Sequence, residues 1–107
     1  MISLNTDRDF RRVFDKGRRI AGKHVLVFAT PNALSEIRVG IICSKKLSKK
    51  AVERNKIRRR IKAVLSRLEL SGQGFDLIIL PKFVWAKGKF DELASTLNNC
   101  LSRAGIC

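Results

Sequence analysis

The chain has 107 residues and a mass of 12.1 kDa, the size of one domain, and its 45% hydrophobic content excludes wholesale disorder. Twenty-three Lys and Arg against nine Asp and Glu leave a net charge of +14 and a pI near 10.8, which points to a polyanionic partner. The longest apolar runs, such as Leu77 to Leu80, fall far short of the ~18 residues of a membrane span. Asp7 and Asp9 stand where a signal peptide needs its apolar segment, so a cytoplasmic protein with no membrane partner is expected.

The first element follows from Thr6 and Asp9, a capping pattern, with Phe10, Val13 and Phe14 at i, i+3, i+4 before Gly17. This predicts a helix over Asp7 to Lys16. From His24 to Thr30 the β-branched and aromatic residues predict a strand, closed by Thr30-Pro31-Asn32. Ile37, Val39, Ile41 and Cys43 alternate with Arg38, Gly40 and Ile42, a second strand expected to form a hairpin with the first.

Between Ser48 and Leu70 the apolar residues Ile57, Ile61, Val64, Leu65 and Leu68 fall on one stripe of an amphipathic helix, with Gly72 and Gly74 expected to stop it. Phe75 to Leu80, ending at Pro81, reads as a strand covered on both faces. Phe90, Leu93, Ala94, Leu97, Cys100 and Leu101 mark a last helix. The order α, β, β, α, β, α predicts a single-domain α+β fold, one small sheet packed against helices, over residues 1–107. Cys43, Cys100 and Cys107 form no Cys-x-x-Cys pair and the chain has one His, so an ordinary zinc site is excluded. Cys43 and Cys100 are expected in the core and Cys107 at an exposed terminus.

The charge is concentrated. From Ser44 to Lys62 ten basic side chains (Lys45, Lys46, Lys49, Lys50, Arg54, Lys56, Arg58, Arg59, Arg60, Lys62) meet one acid, Glu53. A solvated face interleaves acids with its bases; this one does not, so it is read as a surface for a polyanion. Asn55, Arg58, Arg59 and Lys62 share the side of the helix away from the apolar stripe. Arg offers planar forks that match phosphate, and Lys adds charge without geometry. Asn55 is a neutral, poor helix former in this run. Reading a base edge, bracing a neighbouring Arg and marking the start of the helix all suit its amide.

Ser44-Lys45-Lys46, then Ala51-Val52-Glu53-Arg54-Asn55-Lys56-Ile57-Arg58-Arg59, with Asp9-Phe10-Arg11-Arg12-Val13-Phe14-Asp15-Lys16-Gly17 upstream and an aromatic at Phe28, resembles the bacterial ribonuclease P protein component. The Arg-Asn-Arg core of that family reads Arg54-Asn55-Lys56 here, and the chain starts close to its first helix, without the basic extension many relatives carry. The resemblance implies an α-β-β-β-α-β-α fold with a left-handed crossover at the basic helix, and therefore a break within Arg18 to Thr30. It implies a catalytic RNA partner and a precursor tRNA substrate whose 5′ leader is removed by magnesium-dependent hydrolysis on the RNA. No cofactor is expected on the protein alone, and no protein partner is evident.

The implied RNA-binding residues are Lys45, Lys46, Lys49, Lys50, Arg54, Asn55, Lys56, Arg58, Arg59 and Lys62. The implied leader-binding residues are Phe10, Arg11, Phe14, Lys16, Arg18 and Phe28, in a cleft between the basic helix and the sheet, with Arg12, Arg19 and Lys23 adding positive charge. Spacing alone makes the three phenylalanines core residues; the resemblance moves Phe14 and Phe28 to a stacking platform, which suits a leader of variable sequence. A stand-alone ribosomal or double-stranded RNA binder is the alternative that composition leaves open. A nuclease acting alone is disfavoured, because two-metal hydrolysis needs clustered carboxylates and the nine acids are scattered. His24, with no carboxylate or nucleophile near it in sequence, is read as a strand-edge residue.

Overall fold

A computed structural model describes residues 2–68, 74–82 and 90–106. Its elements are β1 (Ile2–Ser3), α1 (Asp7–Lys16), β2 (Arg18–Gly22), β3 (Val25–Pro31), β4 (Arg38–Ile41), α2 (Ala51–Arg67), β5 (Phe75–Pro81) and α3 (Phe90–Arg103). Helix α1 begins where the capping pattern places it: the Asp9 backbone N–H donates to Thr6 Oγ1 at 3.2 Å, and the Thr6 hydroxyl donates to the Asp9 carboxylate at 2.7 Å. It ends at Gly17, where a Cβ would lie 2.3 Å from the Val13 carbonyl and 3.3 Å from that of Ala29. The chain therefore passes from α1 into β2 without a loop, which only a residue lacking a side chain permits here.

The expected break within Arg18 to Thr30 falls at Lys23-His24, a two-residue turn joining β2 to β3, with Gly22 paired to Val25 across it. His24 adopts a φ of 61°, the left-handed conformation such turns require. Helix α2 buries Ile57, Ile61, Val64 and Leu65, with Leu68 half-buried at its end. Burying each of these four contributes about 1.5 to 3 kcal/mol, whereas each like-charge pair on the outer face costs a few tenths of a kcal/mol. Packing therefore holds this helix against its own charge. Leu70, Gly72 and Cys107 lie outside the described residues.

The sheet has the order β1-β4-β5-β3-β2, with β1, β4 and β5 mutually parallel and β3 antiparallel to both β5 and β2. The expected β3–β4 hairpin does not form. Strand β5, buried from Asp76 to Ile79, lies between them and pairs with β3 over seven residues; an apolar strand removes the most surface from water when both its edges and both its faces are covered. The true hairpin partner of β3 is β2. Helix α2 is the crossover between adjacent parallel strands β4 and β5.

Helices α2 and α3 cover one face of the sheet over a core that includes Ile20, Val27, Val39, Leu77, Ile79, Leu97 and Leu101. Cys43 and Cys100 are buried in it as free thiols, and burial pushes the Cys43 thiol up against the opposing pull of Arg58 and Arg54. Among the described residues, α1 is the helix on the other face, over Leu4, Val13 and Ile78.

Candidate nucleic-acid interface

The loop from Ser44 to Lys50 is tied at Ser48 to the first turn of α2. The Ser48 hydroxyl donates to Glu53 at 2.7 Å and accepts from the Lys50 backbone N–H at 3.2 Å, and Arg54 donates to the Ser48 carbonyl at 2.9 Å. Glu53, the one acid in the basic run, is thus the anchor of the start of α2. Lys45, Lys46, Lys49 and Lys50 are exposed around this loop, and Lys56 is exposed on the helix. Asn55, Arg58, Arg59 and Lys62 come together with Val52 along a shallow depression on the outer side of α2. Asn55 accepts from Arg58 at 3.0 Å, which aims that guanidinium; among the roles its amide suits, this geometry displays the brace. Val52, 63% exposed, adds an apolar spot to an otherwise charged strip.

Phe10, Phe14 and Phe28 gather on the opposite face. Phe14 is 39% exposed and meets the half-buried Phe28 edge to face, with ring centroids 4.9 Å apart at 73°. Phe10 behaves differently: its ring lies over Gly40, where a Cβ would approach within 2.5 Å of it, so Gly40 is the gap into which Phe10 packs. Where a cleft between the basic helix and the sheet is expected, α2 turns fully buried Ile57 and Ile61 into the core it shares with the sheet. Beside α1, the exposed ring of Phe14 and the half-buried ring of Phe28 form an open aromatic surface. One row of the sheet beyond Phe28 lies a cleft of about 260 Å³ lined by Ile42, Ser44, Lys46, Leu47, Leu80, Pro81 and Lys82. Sequence reading missed Ile42, Leu80 and Lys82, since only the sheet register sets them beside Phe28.

Of the expected leader residues, Arg11 and Lys16 are exposed on α1. Arg18 is elsewhere: it shares the face of Ile20 and donates to the Arg103 carbonyl at 2.9 Å, while Arg103 donates to the Ala21 carbonyl at 2.6 Å. Its neighbour Arg19 is the residue in register with Phe28. Lys23 pairs with Glu92 at 3.5 Å, away from the rings.

The sheet also contains a buried carboxylate that no local pattern signals. Asp76, fully buried in β5, accepts two hydrogen bonds from Arg38 at 2.8 and 2.6 Å, one from Asn32 at 2.7 Å, and one from Arg12. Burial pushes Asp76 up, but Arg38, Asn32 and Arg12 outweigh it and hold its carboxyl below the usual range. Arg38 also reaches Asp9 at 3.4 Å. The carboxylates of Asp9 and Asp76 are therefore answered by arginines, and among the described residues no group of three or more acids, His or Cys is placed to hold a metal ion.

A mixed sheet carrying a basic helix on one face and an aromatic surface on the other defines a small α+β RNA-binding domain. Residues 2–105 match the family model described as Ribonuclease P. The ribonuclease P protein component of Syntrophomonas wolfei is 30% identical over 106 residues, covering 96% of this chain and 87% of the relative. The structure of the Staphylococcus aureus RNase P protein aligns with a TM-score of 0.78 at 26% identity, covering 99% of this chain and 97% of the other. That of Thermotoga maritima aligns at 0.77 and 25% identity, covering 96% and 97%. The chain belongs to the ribonuclease P protein family, the protein component of an endoribonuclease whose role is maturation of the tRNA 5′ end.

Proposed function

We propose that this protein binds the catalytic RNA through α2 and the loop before it, and holds the 5′ leader of precursor tRNA on the aromatic surface beside α1. The observation that carries this reading is the separation of the two surfaces on opposite faces of one sheet. The strip of Asn55, Arg58, Arg59 and Lys62 suits a folded RNA backbone. The Phe14–Phe28 pair, with Arg19 beside it and the Ile42–Leu80 cleft beyond, suits a flexible single strand gripped by stacking and charge.

In this reading the protein orients the leader and the RNA performs the hydrolysis, supplying magnesium sites from its own phosphates. The disposition of the acids supports that division, because Asp9 and Asp76 are taken up by Arg38 and Arg12. The cytoplasm, where precursor tRNA is processed in bacteria, is the proposed location, and no described helix is long and apolar enough to cross a membrane.

The test is purification at low salt with identification of the bound RNA, followed by processing of precursor tRNA with and without it. One abundant RNA of a few hundred nucleotides, needed for 5′ cleavage, is expected. Magnesium-dependent 5′ cleavage by protein stripped of RNA would overturn the assignment of chemistry to the RNA.

A further inference from the structure

We propose that Asp76 is a positioning residue for the leader surface, acting through Arg12 to fix the roll of α1 and with it the placement of Phe14 against Phe28. The proposal rests on the reading of that surface as the leader site. The sheet register lays the α1 face out in rows. Thr30, Asp76 and Arg38 form one row, Phe28, Ile78 and Gly40 the next, and Leu26 and Leu80 the one after. Helix α1 crosses the first two: Phe10 lies over Gly40, Val13 packs with Ile78, and Phe14 meets Phe28.

Asp9 and Arg12, three residues apart, share the other edge of the helix. Arg12 is bound to Asp76, and Asp9 is reached by the same Arg38 that chelates Asp76. One buried carboxylate thus holds the polar edge of α1 through two arginines. On the apolar edge Phe10 is seated at Gly40, whereas Phe14, one turn on, remains 39% exposed. Val13 is the fully buried side chain of α1 and Phe10 packs at Gly40; the ion pair on the polar edge is the second fixing point, and together they set where Phe14, one turn beyond Phe10, presents its ring. Asp76 itself is fully buried, so it acts on the leader only through this arrangement.

The experiment uses holoenzyme reconstituted with Asp76→Asn, Arg12→Met and Arg12→Lys proteins. It compares binding of precursor tRNA carrying a leader of several nucleotides with binding of mature tRNA. In parallel, 19F resonances are recorded from protein labelled with fluorophenylalanine and assigned by single Phe→Leu changes. Arg12→Met keeps the aliphatic stem and leaves Asp76 with Arg38 and Asn32, so it remains informative if Asp76→Asn fails to fold. The expected result is a leader preference reduced roughly fivefold to tenfold in Arg12→Met, a part of what stacking of one base supplies. Affinity for the catalytic RNA should stay within about twofold, the Phe14 and Phe28 resonances should shift, and Arg12→Lys should recover part of both effects.

Unmoved resonances together with full leader preference in Arg12→Met would overturn the proposal, as would an equal loss for precursor and mature tRNA. If the resonances shift and even direct Phe14→Leu and Phe28→Leu changes leave leader preference intact, the positioning of the rings stands and the leader reading of the surface fails.

Discussion

Arg19 stands directly across the β2–β3 ladder from Phe28, while Arg18 points to the other side of the sheet and holds the Arg103 carbonyl at 2.9 Å. Two adjacent arginines of the same chemistry therefore have separable roles. Arg19→Ala is expected to weaken binding of leader-bearing precursor tRNA about threefold to tenfold, the loss of one phosphate contact, and to flatten its salt dependence by a slope of roughly 0.7. Its melting temperature should not change. Arg18→Ala should leave leader binding intact and lower stability by about 0.5 to 1 kcal/mol through the lost hydrogen bond to α3. Binding titrations at three salt concentrations, paired with thermal melts, separate the two outcomes; a larger leader defect in Arg18→Ala would reverse the assignment of faces.

Phe10 and Phe14 occupy the same helix edge one turn apart, and they should respond differently to the same change. Phe14→Leu removes a π face at the aromatic surface while keeping most of the apolar volume, and is expected to lower leader preference with little effect on the melt. Phe10→Ala uncovers Gly40 and should cost about 2 kcal/mol of stability, less than the 3 to 5 of a fully buried ring. Gly40→Ala should cost about 1 to 3 kcal/mol, because its Cβ would lie 2.5 Å from the Phe10 ring. Chemical denaturation of the three variants checks the order, and a stable Gly40→Ala protein would show that Phe10 is not seated there.

On α2, Arg58→Ala and Arg59→Ala should weaken binding of the catalytic RNA without altering the fold, since both side chains lie off the buried stripe. If Arg54, Lys56, Arg58, Arg59 and Lys62 each meet a phosphate, log K should fall against log salt with a slope of roughly −3.5 to −4.5. Arg54 is tied to the Ser48 carbonyl, so Arg54→Ala should in addition lower the melting temperature. An unchanged salt slope in the Arg58→Ala and Arg59→Ala proteins would exclude this face as the RNA contact.

The Asp76 carboxyl titrates below its unfolded value of about 3.9, so the unfolded chain binds the proton more readily. The stability Asp76 contributes is therefore fully present above about pH 4 and is lost as pH falls through its lower folded value. Asp76→Asn should remove that component, leaving a protein that is less stable at pH 7 by about 2 to 4 kcal/mol and less sensitive to acid below pH 4. The estimate sits below that for a sealed ion pair because Arg12 and Arg38 are 35% and 21% exposed. Urea titrations of both proteins between pH 3 and pH 7 measure the difference, and parallel pH curves would refute the assignment.

Much of this protein is set by short-range pattern. Thr6 and Asp9 define the start of α1, and the spacing of Ile57, Ile61, Val64 and Leu65 defines both the helix and its buried side, because caps and helical periodicity involve residues within a few positions of one another. The basic run from Lys45 to Lys62 is likewise legible, since a helix with one apolar stripe must turn its charges outward. Strand order is another matter. Alternation along β3 and β4 marks each as a strand, yet it carries no information about β5 coming between them, which depends on which pairing buries the most apolar surface across the whole chain. That one decision sets Phe28 on the α1 face, places Arg19 rather than Arg18 beside it, and brings Asp76 under Arg12 and Arg38 from 64 and 38 residues away. The sequence by itself determined the three helices, the strands β3, β4 and β5, and the location of the charge, while the two-residue strand β1 carried no pattern of its own; only the tertiary structure decided which face each functional side chain shares, because a sheet assigns its faces through pairings between distant segments.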